Sequence, residues 1–143
     1  DDILDKNLKA AFRCVRAVVP TMKKQKYGKI VLLTFLSGIM GSGLGEVPFC
    51  TAQAGIMGFM RCVSKEIGGS KINVNAVAVG PLEHEAYMGL YPKDAMMKMR
   101  ALTSFGRFGK PEDVVGPIVT LVSDESSFVT GETVYIGGGL YMS

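Results

Sequence analysis

Two short runs, KIVLLTFL at 29–36 and INVNAVAV at 72–79, constrain the fold most tightly. Each is apolar at nearly every position instead of every second one. Each is too short for an ordinary core helix. Such runs predict strands buried on both faces, and strands of that kind belong to parallel sheets covered by helices. A shorter run, GETVYIGGG at 131–139, predicts a final strand.

Helical periodicity fills the spaces between them. Leu4, Leu8, Phe12, Val15, Val18, Val19 and Met22 fall on one stripe, with Pro20 predicting a kink or an early end. From about 47 to 67, Ile56, Met60, Val63 and Ile67 form a second stripe. Ala52, Gly55 and Gly58 keep part of that helix surface small. The Gly-rich SGIMGSGLGEVP reads as a loop, and GPLEHEAYMGLYPKDAMMKM as a long connection with a short Met-rich helix. KPEDVVGPIVTLVSD opens a third helix, with Pro111 in its first turn and Glu112 and Asp113 at the positive end of its dipole.

The order is helix, strand, helix, strand, loop, helix, strand. Right-handed crossovers between such strands give a three-stranded parallel sheet in one α/β domain over 1–143. A sheet this apolar has an edge that needs cover, from a partner or from further chain.

The net charge of +3 is too small to point to nucleic acid. Lys23, Lys24, Lys26 and Lys29 suit the negative end of a helix dipole better than a phosphate patch. Cys14, Cys50 and Cys62 are odd in number, lack metal-ligand spacing and lie in apolar helical contexts. Buried free thiols in a reducing cytoplasm are expected. No run approaches the roughly 20 apolar residues that span a membrane. No signal peptide is expected, and the first residues read as the interior of a protein. His84, between Glu83 and Glu85, has too few companions for a metal site and reads as a solvated loop residue.

From Asn7 onward the phrases NLKAAFRCVRAVVPTMKKQKYGKIV, AGIMGFMRCVSKEI, INVNAVAVGPLEHE and RFGKPEDVVGPIVTLVSDESSFVTGETVYIGGG resemble the C-terminal half of a short-chain dehydrogenase/reductase. The resemblance implies part of a Rossmann-type doubly wound sheet, without the N-terminal dinucleotide-binding half. It implies a family chemistry of hydride transfer between nicotinamide and a carbonyl or alcohol. In that family a Tyr moves the proton and a Lys one turn later lowers its pKa. A Ser holds the substrate oxygen, and an Asn supports the Lys through water.

At the matching positions this chain has Phe49 for the Tyr, Gln53 for the Lys and Phe35 for the Ser, and only Asn7 is kept. Phenyl rings and an amide cannot move protons, and losing one general acid/base typically costs about 10²–10⁴ in rate. The family's Pro-Gly is Val79-Gly80, and its cofactor-contacting Thr is at His84. The loop with Gly38, Gly41, Gly43 and Gly45 follows the wrong strand for a dinucleotide fingerprint and carries Glu46 and Pro48.

The chain is therefore expected to be a non-catalytic member, binding no cofactor or metal. Its expected partner is an active paralogue carrying NAD(P) on a hydroxyacyl or alcohol substrate, in a cytoplasmic hetero-oligomer, a tetramer by family habit. In this it resembles the degenerate subunit of the heteromeric hydroxyacyl-CoA dehydrogenase of the benzylsuccinate pathway. Leu8, Phe12, Val15, Ile56, Met60 and Val63 are the expected interface, because the family pairs these helices between subunits; core filling is the competing role. Two alternatives stand beside this one. The first is an active NAD(P)-dependent oxidoreductase using Ser37 or Tyr27. The second is a module holding an acyl thioester under Met88, Met96, Met97 and Met99.

Overall fold

The computed structural model describes residues 1–85, 89 and 91–142. The chain begins as one unbroken helical run. It comprises α1 (Asp2–Leu4), a π-helical stretch (Asp5–Lys9) and α2 (Ala10–Gln25). Pro20 lies inside α2 and does not end it. Pro20 and Arg16 are both exposed, so water can serve the Arg16 carbonyl that loses its amide donor. Lys26 closes α2 in the left-handed conformation at φ 52°, with Lys23 and Lys24 in the last turn as expected.

The strands are β1 (Gly28–Phe35), β2 (Ile72–Val79) and β3 (Thr133–Ile136), in the order β1-β2-β3 and all parallel. The helices are α3 (Ser37–Met40), α4 (Val47–Ile67), α5 (Lys93–Leu102) and α6 (Pro111–Val122). The four-residue α3 was read as loop from sequence, because Gly-rich flanks hide so short an element. The sheet is the C-terminal part of a Rossmann-type α/β fold, three parallel strands with flanking helices. No helix of the described residues is long and apolar enough to cross a membrane.

β2 is buried along its whole length. β1 is not buried on both faces: Ile30, Leu32 and Thr34 are, while Leu33 on the other face is exposed. β1 is an edge strand, and α6 covers that face only in part. Two cores result. Val15, Ile30, Leu32, Ile56, Met60 and Val74 pack where α2 and α4 lie on one face. Val77, Val79, Val114 and Leu121 pack where α6 lies on the other.

Part of the expected interface set takes the competing role of filling the chain's own core. Val15, Ile56 and Met60 are buried against the chain's own sheet, and Leu8 and Val63 pack at the margin of that core. Of the six, Phe12 alone is exposed, at 49%. Its ring meets Phe59 at 5.3 Å between centroids, with the Arg16 guanidinium over it. A helical stripe marks a buried face, but its spacing cannot say whether a sheet or another subunit buries it. The cysteines also differ from expectation: Cys14 and Cys62 are exposed and Cys50 is half-buried. They occupy the outer sides of helices whose inner sides face the sheet.

Candidate functional site

The parallel register sets Phe35 opposite Val79 and Val79 opposite Ile136. The carboxyl ends of all three strands thus lie along one edge, where open α/β sheets hold their ligands. Thr34, the last residue but one of β1, is completely buried. Its hydroxyl oxygen is 3.0 Å from the Gln53 carbonyl oxygen and 3.1 Å from Gln53 Oε1, so its one proton is shared between them. Gln53 is 2% exposed. Its Nε2 donates to Asn7 Oδ1 at 3.2 Å, and Asn7 Nδ2 donates to the Ile3 carbonyl at 2.8 Å. Asn7 lies in the π-helical stretch, a distortion often seen at functional positions.

One helical turn before Gln53, the Phe49 ring lies against Phe35, with centroids 5.5 Å apart and planes at 51°. That tilted contact is a favourable aromatic geometry. Position 38 tolerates only glycine: a Cβ there would fall 2.7 Å from the Ala54 nitrogen and 2.8 Å from the Gln53 carbonyl carbon. The turn after β1 is therefore pressed against the backbone of α4.

Asn7, Phe35, Phe49 and Gln53 thus come together from three separate places in the chain, the π-helical stretch, β1 and α4. Their side chains carry no acid, no base and no cation. The amides and the Thr34 hydroxyl satisfy one another, and two phenyl rings close the end of the strand. This group can hold the π-helical stretch, β1 and α4 in register.

Of the other candidates, the Ser37 hydroxyl is buried without a hydrogen-bond partner. Tyr27 is at the opposite end of β1 from Phe35, about 26 Å along an eight-residue strand. Its hydroxyl donates to Asp124 at 3.0 Å, and that bond raises its pKa. Tyr27 therefore cannot stand in for the missing phenol. His84 is exposed, and no group of three or more metal-ligating side chains occurs among the described residues. Of the four Met residues, Met88 lies outside the described residues, Met96 is buried, Met97 is exposed and Met99 is half-buried.

A nicotinamide dinucleotide fits these residues poorly. The positive end of α4 is preceded by Glu46, an anion where a pyrophosphate would need none. That carboxylate accepts a hydrogen bond from the Tyr91 hydroxyl. Gln53 offers an amide already engaged on both sides.

A cleft of about 210 Å³ opens at the ends of β2 and β3, lined by Pro81, Leu82, Phe105, Arg107, Gly109 and Asp113. Its charged pair is committed internally. Arg107 reaches the Asp113 carboxylate at 2.8 and 3.4 Å, and the Lys110 amide donates to it at 2.7 Å. The Arg107 fork, then that amide, hold the Asp113 pKa down to about 2. The pair fastens the first turn of α6.

Sequence reading did not find Thr34 or the Glu46–Tyr91 contact. Thr34 had a signal, as the only hydroxyl in an otherwise apolar strand. The contact had none, because its residues are 45 apart.

A family model described as enoyl-(acyl carrier protein) reductase matches residues 1–141. The 3-oxoacyl-[acyl-carrier-protein] reductase of Thermotoga maritima is 41% identical over 140 residues, covering 98% of this chain and 56% of that protein. The Escherichia coli reductase of the same name is 34% identical over 142 residues, covering 99% and 57%. Among solved structures, a 3-oxoacyl-[acyl-carrier protein] reductase from Brucella melitensis superposes with a TM-score of 0.87 at 35% identity, covering 96% of this chain and 51% of that one. A putative gluconate dehydrogenase from Agrobacterium tumefaciens gives 0.92 at 29% identity, covering 98% and 56%. The chain spans a little over half the length of these relatives.

Proposed function

Because the chain belongs to the short-chain dehydrogenase/reductase family, we propose that it is a non-catalytic member of that oxidoreductase family. It would work as a subunit that stabilises an active paralogue. One observation carries the reading. The positions that the resemblance matches to the family's Ser, Tyr and Lys hold Phe35, Phe49 and a 2% exposed Gln53 whose amide is bonded to Thr34 and Asn7. A lost active site under no constraint would leave unpaired polar groups or voids, and each is costly. Here the replacements fit one another, which favours a retained fold with a retained structural task.

In this reading NAD(P) sits on the partner, whose substrate is a hydroxyacyl compound or alcohol. The fit of the dinucleotide to this chain's own α4 start, with Glu46 in place, is poor. The contact surface we assign is the outer side of α2 and α4 around Phe12 and Phe59, since the inner stripe is spent on the sheet. The assembly would be a hetero-oligomer, a tetramer if it follows the family habit, in the cytoplasm. Native mass spectrometry of the complex from its source is the test. We expect this chain with an intact paralogue. A well-behaved monomer that ignores every co-expressed paralogue would contradict the proposal.

A second reading rests on Ser37, whose buried hydroxyl lacks a partner next to the replaced positions. An active oxidoreductase could use it to hold a substrate oxygen. NAD(P)H oxidation lost on Ser37→Ala would favour that reading.

A further inference from the structure

The cations of the first helical run fall into one strip. Lys6, Lys9, Arg13, Arg16 and the pair Lys23 and Lys24 follow one another at three, four, three and then seven or eight residues. That is the spacing of one helix face, and all six are exposed. The strip is about 27 Å long at about 1.5 Å per residue. Its two ends differ. Lys6 reaches Asp2 at 2.8 Å and Lys9 reaches Asp5, so the start is close to neutral. Arg13, Arg16, Lys23 and Lys24 make no salt bridge among the described residues. Residues 1–26 hold seven of the 16 Lys and Arg but three of the 13 Asp and Glu, a balance of +4, which leaves 27–143 at −1. The excess positive charge of the chain therefore sits on this helical run.

The strip borders an exposed aromatic contact. Phe12 is 49% exposed, Phe59 lies 5.3 Å from it, and the Arg16 guanidinium stands 6.0 Å from the Phe12 ring centroid. Aromatic rings flanked by arginine are the composition of an interface centre. A merely solvated helix face usually alternates in sign along its length, as the first turns here do and the later ones do not.

Symmetry then limits the partner. A two-fold pairing of copies centred on Phe12 sets the patch against itself, so Arg13 and Arg16 would meet like charges. We propose that this face docks a helix face of another protein, one with an apolar centre flanked by carboxylates, and that its charge turns away a second copy of this chain. Rejection of the wrong partner is as much a part of specificity as attraction to the right one. The proposal rests on the subunit reading and adds the chemistry of the partner.

Sedimentation velocity tests it on the full natural protein, on its Arg13→Glu/Arg16→Glu variant and on an equal mixture of the two. The variant is the probe, since it offers the same apolar centre with the charge reversed. Both positions are exposed, so it should keep the parent's far-UV circular dichroism. At low ionic strength the mixed pair should be about tenfold tighter than either protein with itself. At about 1 M salt, where the Debye length is about 3 Å, that preference should vanish. Arg13→Gln/Arg16→Gln removes the clash without reversing it and should self-pair more tightly than the parent. A mixture no tighter than the parent alone, or a preference that survives high salt, would overturn the proposal. Parent bound to duplex DNA or anionic vesicles with no mixed pair would mark a general polyanion surface and overturn it as well. Undiminished binding of the reversed variant to the paralogue, read by native mass spectrometry, would overturn it and leave the subunit reading intact. A mixed pair from a parent that binds no paralogue would support the charge code and end the subunit reading alone.

Discussion

The Gln53 amide nitrogen lies 3.2 Å from Asn7 Oδ1, joining a helix that begins the chain to one that starts some forty residues later. The resemblance to the family matches Gln53 to its cationic position and Asn7 to the one tetrad residue retained. Together with Thr34 they form a polar chain that runs from the buried Thr34 and Gln53 out to the half-buried Asn7.

Breaking that chain should cost stability. Gln53→Met keeps the volume and removes both bonds, leaving Asn7 Oδ1 without its donor. A loss of about 1–3 kcal/mol is expected in urea unfolding. Asn7→Ala on top of it should cost less than it does alone, because the shared bond is already gone.

Restoring the cation should be worse than deleting the amide. In Gln53→Lys an ammonium enters a 2% exposed site among neutral groups. Burial lowers a lysine pKa, so folding is penalised below the unfolded value of about 10.4, increasingly until the folded pKa is reached. We expect a loss of about 2–4 kcal/mol at pH 7 that shrinks as pH rises toward 10. Denaturation midpoints at the two pH values measure it. Equal stability to the parent at pH 7 would mean that the site still accepts a charge.

Two glycines should respond in opposite directions. Gly38→Ala drives a Cβ into the backbone of Gln53 and Ala54 and should cost about 1–3 kcal/mol or more. Gly58, within α4, has open space beyond its Cα. Gly58→Ala should gain about 0.5–1 kcal/mol through helix propensity. Thermal melts of both variants check the pair.

Asp113 should make part of the acid stability. Its carboxyl is held at about 2 by Arg107, below the ordinary 3.8. A lowered folded pKa gives stability that is whole above the ordinary value and is lost as pH falls toward 2. The melting temperature should drop across that window, and drop less steeply in Asp113→Asn, which starts lower at pH 7. A parallel decline in both proteins would remove the pair from the account.

Much of the fold was legible because burial on both faces leaves a mark. Ala76, Val77, Ala78 and Val79 are apolar in succession and all buried, as a covered central strand requires. The bounds of α4 could be read from its stripe for the same reason. Direction was not legible. The spacing of Val15, Ile56 and Met60 is the same whether the stripe meets a sheet or a subunit, and only packing decides. Pro20 does not end α2 early because an exposed helix side tolerates a missing bond. The matching of residues to the family's site came through resemblance alone. Their mutual satisfaction was not, because Thr34, Gln53 and Asn7 meet through tertiary contacts between residues 19 and 46 apart.

The central claim is that these replacements ended the chemistry and kept the frame. Steady-state turnover of NAD(P)H with 3-oxoacyl thioesters and simple carbonyls, by the full natural protein free of any paralogue, tests it most directly. The account predicts no rate above the uncatalysed reaction, with activity appearing only when the paralogue is present. Turnover by the purified protein that falls on Ser37→Ala would contradict it.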